Sequence, residues 1–300
     1  METLAPLLAT VAIAGCGRWH FDARATGDGN GDDIGAVPDA GCKGTGPWGA
    51  LTRIDELSMT PNTEYGGQIS GDGLTLYFDS HVTGDQELYV ARRAARTATF
   101  DPATRIVELG SPATDSNASL TGDGLELWFD SDRTGSACVF VATRATTADS
   151  WGVPVRQDQL CLANQIVGPY ITPDGLSLLY NTVVDGHGEG DLGIAERATR
   201  GATFPPGASL GLSGGNGFGV LSRDRLTIYF ESTVGVRIEL HQATRATTAA
   251  AFGPITPIAE LDTIANNEDV SVTDDEAELF FASDRAAGDT DLWRASRPCQ

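Results

Sequence analysis

Three carboxylates and an imidazole alternate with glycine in the stretch DGHGEGD: Asp185, His187, Glu189 and Asp191. Oxygen ligands with one nitrogen on a bendable loop form a donor set for a divalent cation, calcium in particular. Acids spaced by glycine also suit a solvated loop tip, and this reading is preferred, so no cofactor is expected. A second group is Glu64, Asp115 and Asp269, acids that would stand at the starts of equivalent strands. Paired carboxylates about 5–10 Å apart are the machinery of glycoside hydrolysis. Two aligned positions hold Ile166 and Asn216, so the set does not recur throughout. Gly211-Leu212-Ser213-Gly214-Gly215 has the form of a serine-hydrolase elbow, but it lies in a glycine-rich loop rather than between a strand and a helix. Gly44, Gly46 and Gly49 fit a dinucleotide fingerprint without the strand and helix it needs. Asp28, Asn30, Asp32 and Asp39 imitate a calcium loop whose sixth position is Asp33 instead of glycine. No catalytic residue is assigned.

The elements that would carry these residues form a repeat. SGDGLTLYFDS at 70–80 returns as TGDGLELWFDS at 121–131, TPDGLSLLYNT at 172–182, SRDRLTIYFES at 222–232 and TDDEAELFFAS at 273–283. The turn aspartates Asp72, Asp123, Asp174, Asp224 and Asp275 are spaced by 51, 51, 50 and 51 residues. Asp-Gly between alternating runs is a hairpin signal, because glycine accepts the positive φ of a tight turn. Each unit opens on an aromatic pair such as Trp48-Gly49 or Trp151-Gly152 and contains a strand ending near Ala-x-Arg, as in ELYVARR and DLWRASR. Four strands of about 5–6 residues and four loops fill such a unit, whereas a helical repeat would need a 3.6-residue period that is absent. Tandem four-stranded units packed face to face predict an all-β, five-bladed propeller over 47–300.

The pattern S/T-x-D-G-L-x-L-Y-F-x-S, followed by Asp-Arg at Asp132-Arg133 and Asp284-Arg285, resembles the WD40-like repeats of TolB-type bacterial propellers. The resemblance covers about 48–300, although the fourth and fifth copies carry Arg225 and Glu276 where glycine is usual. It implies a propeller that serves mainly as a binding scaffold and only sometimes as an enzyme.

Repeat phase also makes predictions for the cysteines. The first unit lacks a preceding third strand and the last ends just after its own, so the segment from Trp48 should complete the fifth blade. Cys42 and Cys299 then fall where other blades have a continuous hairpin loop, which predicts a Cys42–Cys299 disulfide. Cys138 begins a third strand and Cys161 ends the next, which predicts Cys138–Cys161. Gathering all four thiols at a metal would need a closer spacing.

The chain carries 41 acidic and 20 basic residues, a net charge of −21. Such a surface repels phosphate backbones, so nucleic acid is excluded as a partner. The leader METLAPLLATVAIAG (1–15), ahead of Cys16, is a short apolar segment closed by small residues, and it reads as an export signal. Ile13-Ala14-Gly15-Cys16 resembles the lipobox of bacterial lipoproteins, which implies lipidation at Cys16. Residues 16–46, rich in Gly and Asp, read as a flexible tether. The expectation is a monomeric, membrane-anchored lipoprotein, periplasmic or at the cell surface, that binds an envelope protein or polysaccharide without catalysis. The alternatives are a glycan-processing enzyme with axial carboxylates and a calcium-dependent adhesin.

Overall fold

The computed structural model describes residues 42–59, 61–161, 165–183, 190–212, 216–261, 263–286 and 289–299. Cys16, Asp185, His187 and Glu189 lie outside them.

Among the described residues, twenty strands make five antiparallel four-stranded sheets. The chain enters with β1 (Thr52–Arg53) and then builds blade 1 from β2 (Glu64–Ile69), β3 (Thr75–Ser80), β4 (Glu87–Arg92) and β5 (Thr104–Arg105). Blade 2 is β6 (Asp115–Leu120), β7 (Glu126–Ser131), β8 (Cys138–Thr143) and β9 (Val155–Arg156). Blade 3 is β10 (Gln165–Ile171), β11 (Ser177–Val183), β12 (Leu192–Glu196) and β13 (Ala208–Ser209). Blade 4 is β14 (Asn216–Leu221), β15 (Thr227–Val234), β16 (Arg237–Thr244) and β17 (Thr256–Pro257). Blade 5 is β18 (Asn267–Val272), β19 (Glu278–Ser283) and β20 (Asp291–Ser296), with β1 as its outer strand.

The segment that enters first therefore closes the ring. Thr52 pairs with Arg294 and Arg53 with Trp293, and Gly44 bridges to Cys299. Cys42 is joined to Cys299, with Cα atoms 5.5 Å apart. Cys138 is joined to Cys161, with Cα atoms 5.7 Å apart. Cys161 lies past β9, in the turn where its amide donates to Asp158 O (3.2 Å), so it does not end a strand. Outer strands are two residues long, shorter than the repeat length predicts. Short outer strands leave little unpaired edge for another chain to pair with.

The Ser/Thr-x-Asp signature is a self-contained turn. Ser70 Oγ donates to Asp72 Oδ1 (2.6 Å), which also accepts the Leu74 amide (2.9 Å). The same pair of bonds recurs at Asp123, Asp174, Asp224 and Asp275. The residue after each Asp has positive φ: glycine in blades 1–3, and Arg225 (59°) and Glu276 (54°) in blades 4 and 5. Between turns, the middle strands bury both faces, because each sheet is covered by a neighbour on either side. Leu76, Phe78, Leu127, Phe129, Leu178, Phe230 and Phe281 are all fully buried. Across the seam between blades 2 and 3, Trp128 meets Phe204 edge-on at 5.4 Å between centroids.

Candidate functional site

The blades have two ends. At one, called here the turn face, lie the five Asp turns. At the other, the loop face, lie the starts of the inner strands.

Near the loop face, side chains from the second strands reach across to the next blade. Asp79 accepts the Asn117 amide (3.1 Å), Asp130 the Gly168 amide (2.8 Å) and Glu231 the Asp269 amide (3.0 Å). Asp269 in turn accepts the Gly66 amide (3.0 Å). These amides are exposed by a bulge at the same place in every inner strand. A bulge leaves a backbone group unpaired, and here the neighbouring acid satisfies it. Asp130 also accepts Ser116 Oγ (2.8 Å) and Asn117 Nδ2 (3.0 Å), and Asp79 accepts Gln86 Nε2 (2.8 Å). Burial raises all four acids: Asp130 and Asp269 to about 6, Asp79 and Glu231 well above the carboxylate range. Mutual repulsion adds to this, since Asp79 feels Asp269 and Asp130, and Glu231 feels Asp269. Half-buried Glu268 is pushed up to about 7, first by burial and then by Asp269. These acids fasten the blades together around the axis.

The acids predicted from sequence stand in different settings. Glu64 opens β2, is buried beside Ser80 Oγ (3.3 Å) and is raised by burial to about 7. Asp115 opens β6 and is committed to Arg133 and to the Ser111 amide (2.7 Å). Asp269 is two residues further along its strand than expected: Asn267, facing Ser283, is level with Glu64 facing Ser80. Asp191 is exposed, with Ser209 Oγ 3.5 Å from its carboxylate. Beyond these acids, the axial passage lined by Gly66, Ala118, Gly168, Gly219 and Val270 encloses only about 40 Å³, room for a few waters.

The turn face is built on a second repeated device. Arg93, Arg144, Arg197 and Arg245 stack on the aromatic seven positions later: Phe100, Trp151, Phe204 and Phe252, at 4.8, 4.1, 4.7 and 4.5 Å. Ring closure gives Arg297 the same partner in Trp48 at 4.2 Å. In three seams a glutamate meets this arginine. Arg93 binds Glu278 (2.6 Å), Arg197 binds Glu126 (2.7 Å) and Arg297 binds Glu276 (3.2 Å). A second cation completes each of these seams: Arg96 on Asp275 (2.6 Å), Arg200 on Asp123, and Lys43 on Asp224 and Glu276 (both 2.9 Å). Between blades 3 and 4 the glutamate's repeat position is Ser177, whose Oγ donates to Glu196 (3.4 Å), and Arg225 fills the gap by binding Asp174 and Ser177 Oγ.

The seam between blades 1 and 2 has none of these fillings. By repeat position, Thr75 stands where Glu126 and Glu278 stand, and Thr147 where Arg96 and Arg200 stand. This seam opens into a cavity of about 790 Å³ that extends across the axis to Tyr170 and Pro173 of blade 3, Arg223 of blade 4 and Val272 and Asp274 of blade 5. That volume lies within the roughly 300–1,000 Å³ of small-molecule sites. Arg144 remains half-buried at its wall, donating to Gly124 O (2.8 Å) and bonded to the Tyr77 hydroxyl. Sequence reasoning missed this site, although a signal was available: Thr75 and Thr147 are both short, and Gly124 follows the turn aspartate where blade 4 carries the gap-filling Arg225.

No protein-family model matches the chain, and no curated protein matches it either. Solved structures do. An α-L-arabinofuranosidase from Podospora anserina has a TM-score of 0.52 at 12% identity, over 79% of this chain and 91% of the other. A thermostable family-43 glycoside hydrolase has a TM-score of 0.51 at 11% identity, over 80% and 91%. TolB from Acinetobacter baumannii has a TM-score of 0.48 at 14% identity, over 79% of this chain and 55% of TolB, so the chain spans about half of that protein's length. At these identities the likeness concerns the fold: five blades of four antiparallel strands in a closed ring.

Proposed function

We propose that the protein is an exported, lipid-anchored, non-catalytic propeller that holds an envelope polysaccharide or protein against its turn face. The observation that carries this reading is how the axial carboxylates are used. Asp79, Asp130, Glu231 and Asp269 each accept a main-chain amide of the adjoining blade, while the roomy cavity lies at the opposite end of the sheets. Acids buried as fasteners do not reach a sugar ring, and a passage of about 40 Å³ does not admit one. Two disulfides suit an oxidising compartment, and the lipobox-like Ile13-Ala14-Gly15-Cys16 supports anchoring through Cys16.

The test is to titrate the intact chain against solubilised envelope while following release of reducing ends from a broad glycan panel. Saturable binding without product supports the reading. Product formation that disappears in Glu64→Gln or Asp79→Asn overturns it in favour of glycan processing. One observation keeps that second reading: Glu64, raised to about 7, has the proton affinity of a general acid.

A further inference from the structure

We infer that the seam between blades 1 and 2 is a binding site for a sugar acid. The carboxylate of the ligand takes the place that Glu126 and Glu278 occupy in the neighbouring seams. The inference rests on the reading of the turn face as the binding face and names the ligand that the face takes.

The argument starts from what the other four seams contain. Each stacked arginine there is met by a glutamate, or the space in front of it is filled by Arg225. Arg144 has the same stacking partner and the same tyrosine contact that Arg297 has with Tyr229 (3.1 Å), yet no acid reaches it among the described residues. Thr75 and Thr147 stand where two long side chains stand in the seams of Glu126 and Glu278, and the space those would fill opens into the cavity. Tallying charge at its wall isolates the open groups. Arg96 is paired with Asp275, Arg223 with Asp274 and Asp123 with Arg200. Arg92 and Arg144 remain as cations without a carboxylate among the described residues, with exposed Asp72 as the remaining acid.

A guanidinium fork binds carboxylate bidentately, and two such cations favour an anion. The remaining lining selects among anions. Thr75 and Thr147 offer hydroxyls that both donate and accept, and Asp72 only accepts. Mixed donors and acceptors around a cationic corner match a ring bearing several hydroxyls and one carboxylate. An acidic peptide brings few hydroxyls and would leave Asp72 facing like charge.

The test titrates the intact protein with sodium D-glucuronate and, separately, with D-glucose, following amide chemical shifts. Saturable binding of glucuronate, with glucose at least about tenfold weaker, is expected for a carboxylate held by a charge-assisted pair. The double variant Thr75→Glu/Thr147→Arg rebuilds the clasp of the neighbouring seams, so it should melt higher and lose glucuronate binding. Arg92→Ala, an exposed substitution, should weaken binding several-fold with an unchanged melting temperature. Equal affinity for glucose, absence of saturable glucuronate binding, or undiminished binding by a well-folded double variant would overturn the inference. So would tighter binding of N-acetyl-glutamate amide than of glucuronate. Hydrogen-exchange protection by solubilised envelope separates the two levels. Protection on the turn face with no glucuronate binding rejects only the sugar acid, and protection confined to the loop face rejects the binding face as well.

Discussion

Asp130 makes the most connections of the axial acids, accepting from the Gly168 amide, Ser116 Oγ and Asn117 Nδ2. Asp130→Ala strands two buried donors and one half-buried donor and should cost about 2–4 kcal/mol in a urea melt. Asp79 is different, because burial beside Asp269 and Asp130 pushes it well above the carboxylate range and favours its neutral form. Asp79→Asn retains an acceptor for the Asn117 amide, so its melting temperature at pH 7.5 should equal or exceed the parent's. A fall of more than about 2 kcal/mol would show the charged form to be the structural one. Gly66 is bound to its identity twice over: its φ is 66°, and a Cβ there would run into Asp79 Oδ1. The FDS and FES runs announced acids at these positions, but alternation alone did not say that they point at a neighbour's amides.

Among the elements, the Asp turns and middle strands were legible because hydroxyl, acid and positive-φ residue all act within five positions. Outer strands were less so. They keep only two paired residues because nothing lies beyond them to reward a longer ladder. Asp269 is not level with Glu64: it lies two residues further along, inside the bulge between Glu268 and Ser271 and with φ 54°. The repeat spacing carries the true register: Asn267 lies eight residues before Asp275, as Glu64 does before Asp72. The clasp likewise was half visible: Ala-x-Arg and the aromatic opening were both apparent, and their constant separation joins them. Removing the counter-charge from the buried Arg93 by Glu278→Gln should therefore be costly, on the order of 2–4 kcal/mol. A matching change on an exposed pair, Arg223→Gln facing Asp274, should cost under about 1 kcal/mol. Parallel thermal melts would compare them.

For the molecule as a whole, two sets of acids pull stability in opposite directions with pH. Asp130, Asp269, Glu64 and Glu268 are raised to about 6–7, so the folded state holds protons that the unfolded chain releases above pH ~4. Their contribution is full below about pH 4 and is lost as pH rises through 6–7. The turn acids Asp123, Asp174, Asp224 and Asp275 are lowered, chiefly by hydrogen bonds and ion pairs that outweigh their burial, and their contribution is lost as pH falls below about 4. Stability should peak near pH 5 and decline toward pH 8; a melting temperature rising steadily from pH 5 to 8 would contradict this balance. Ring closure is the other property of the whole. Opening Cys42–Cys299 in a Cys42→Ser/Cys299→Ser variant should lower stability by at most about 5–6 kcal/mol on the chain-entropy estimate, and by less insofar as β1 still holds. Export and anchoring are checked apart from folding: labelled palmitate should enter the wild-type chain and fail to enter Cys16→Ser.

The position of Cys42 ahead of β1 has a mechanical consequence. Tension arriving along the chain from upstream reaches the sulfur bridge before it reaches the two-residue strand, and is handed directly to the far end of the polypeptide. The closing strand is thereby spared from load. Stretched between its two termini in an optical trap, the oxidised protein should carry the load through the bridge and keep its blades folded. The reduced protein should peel from Thr52 at a lower force.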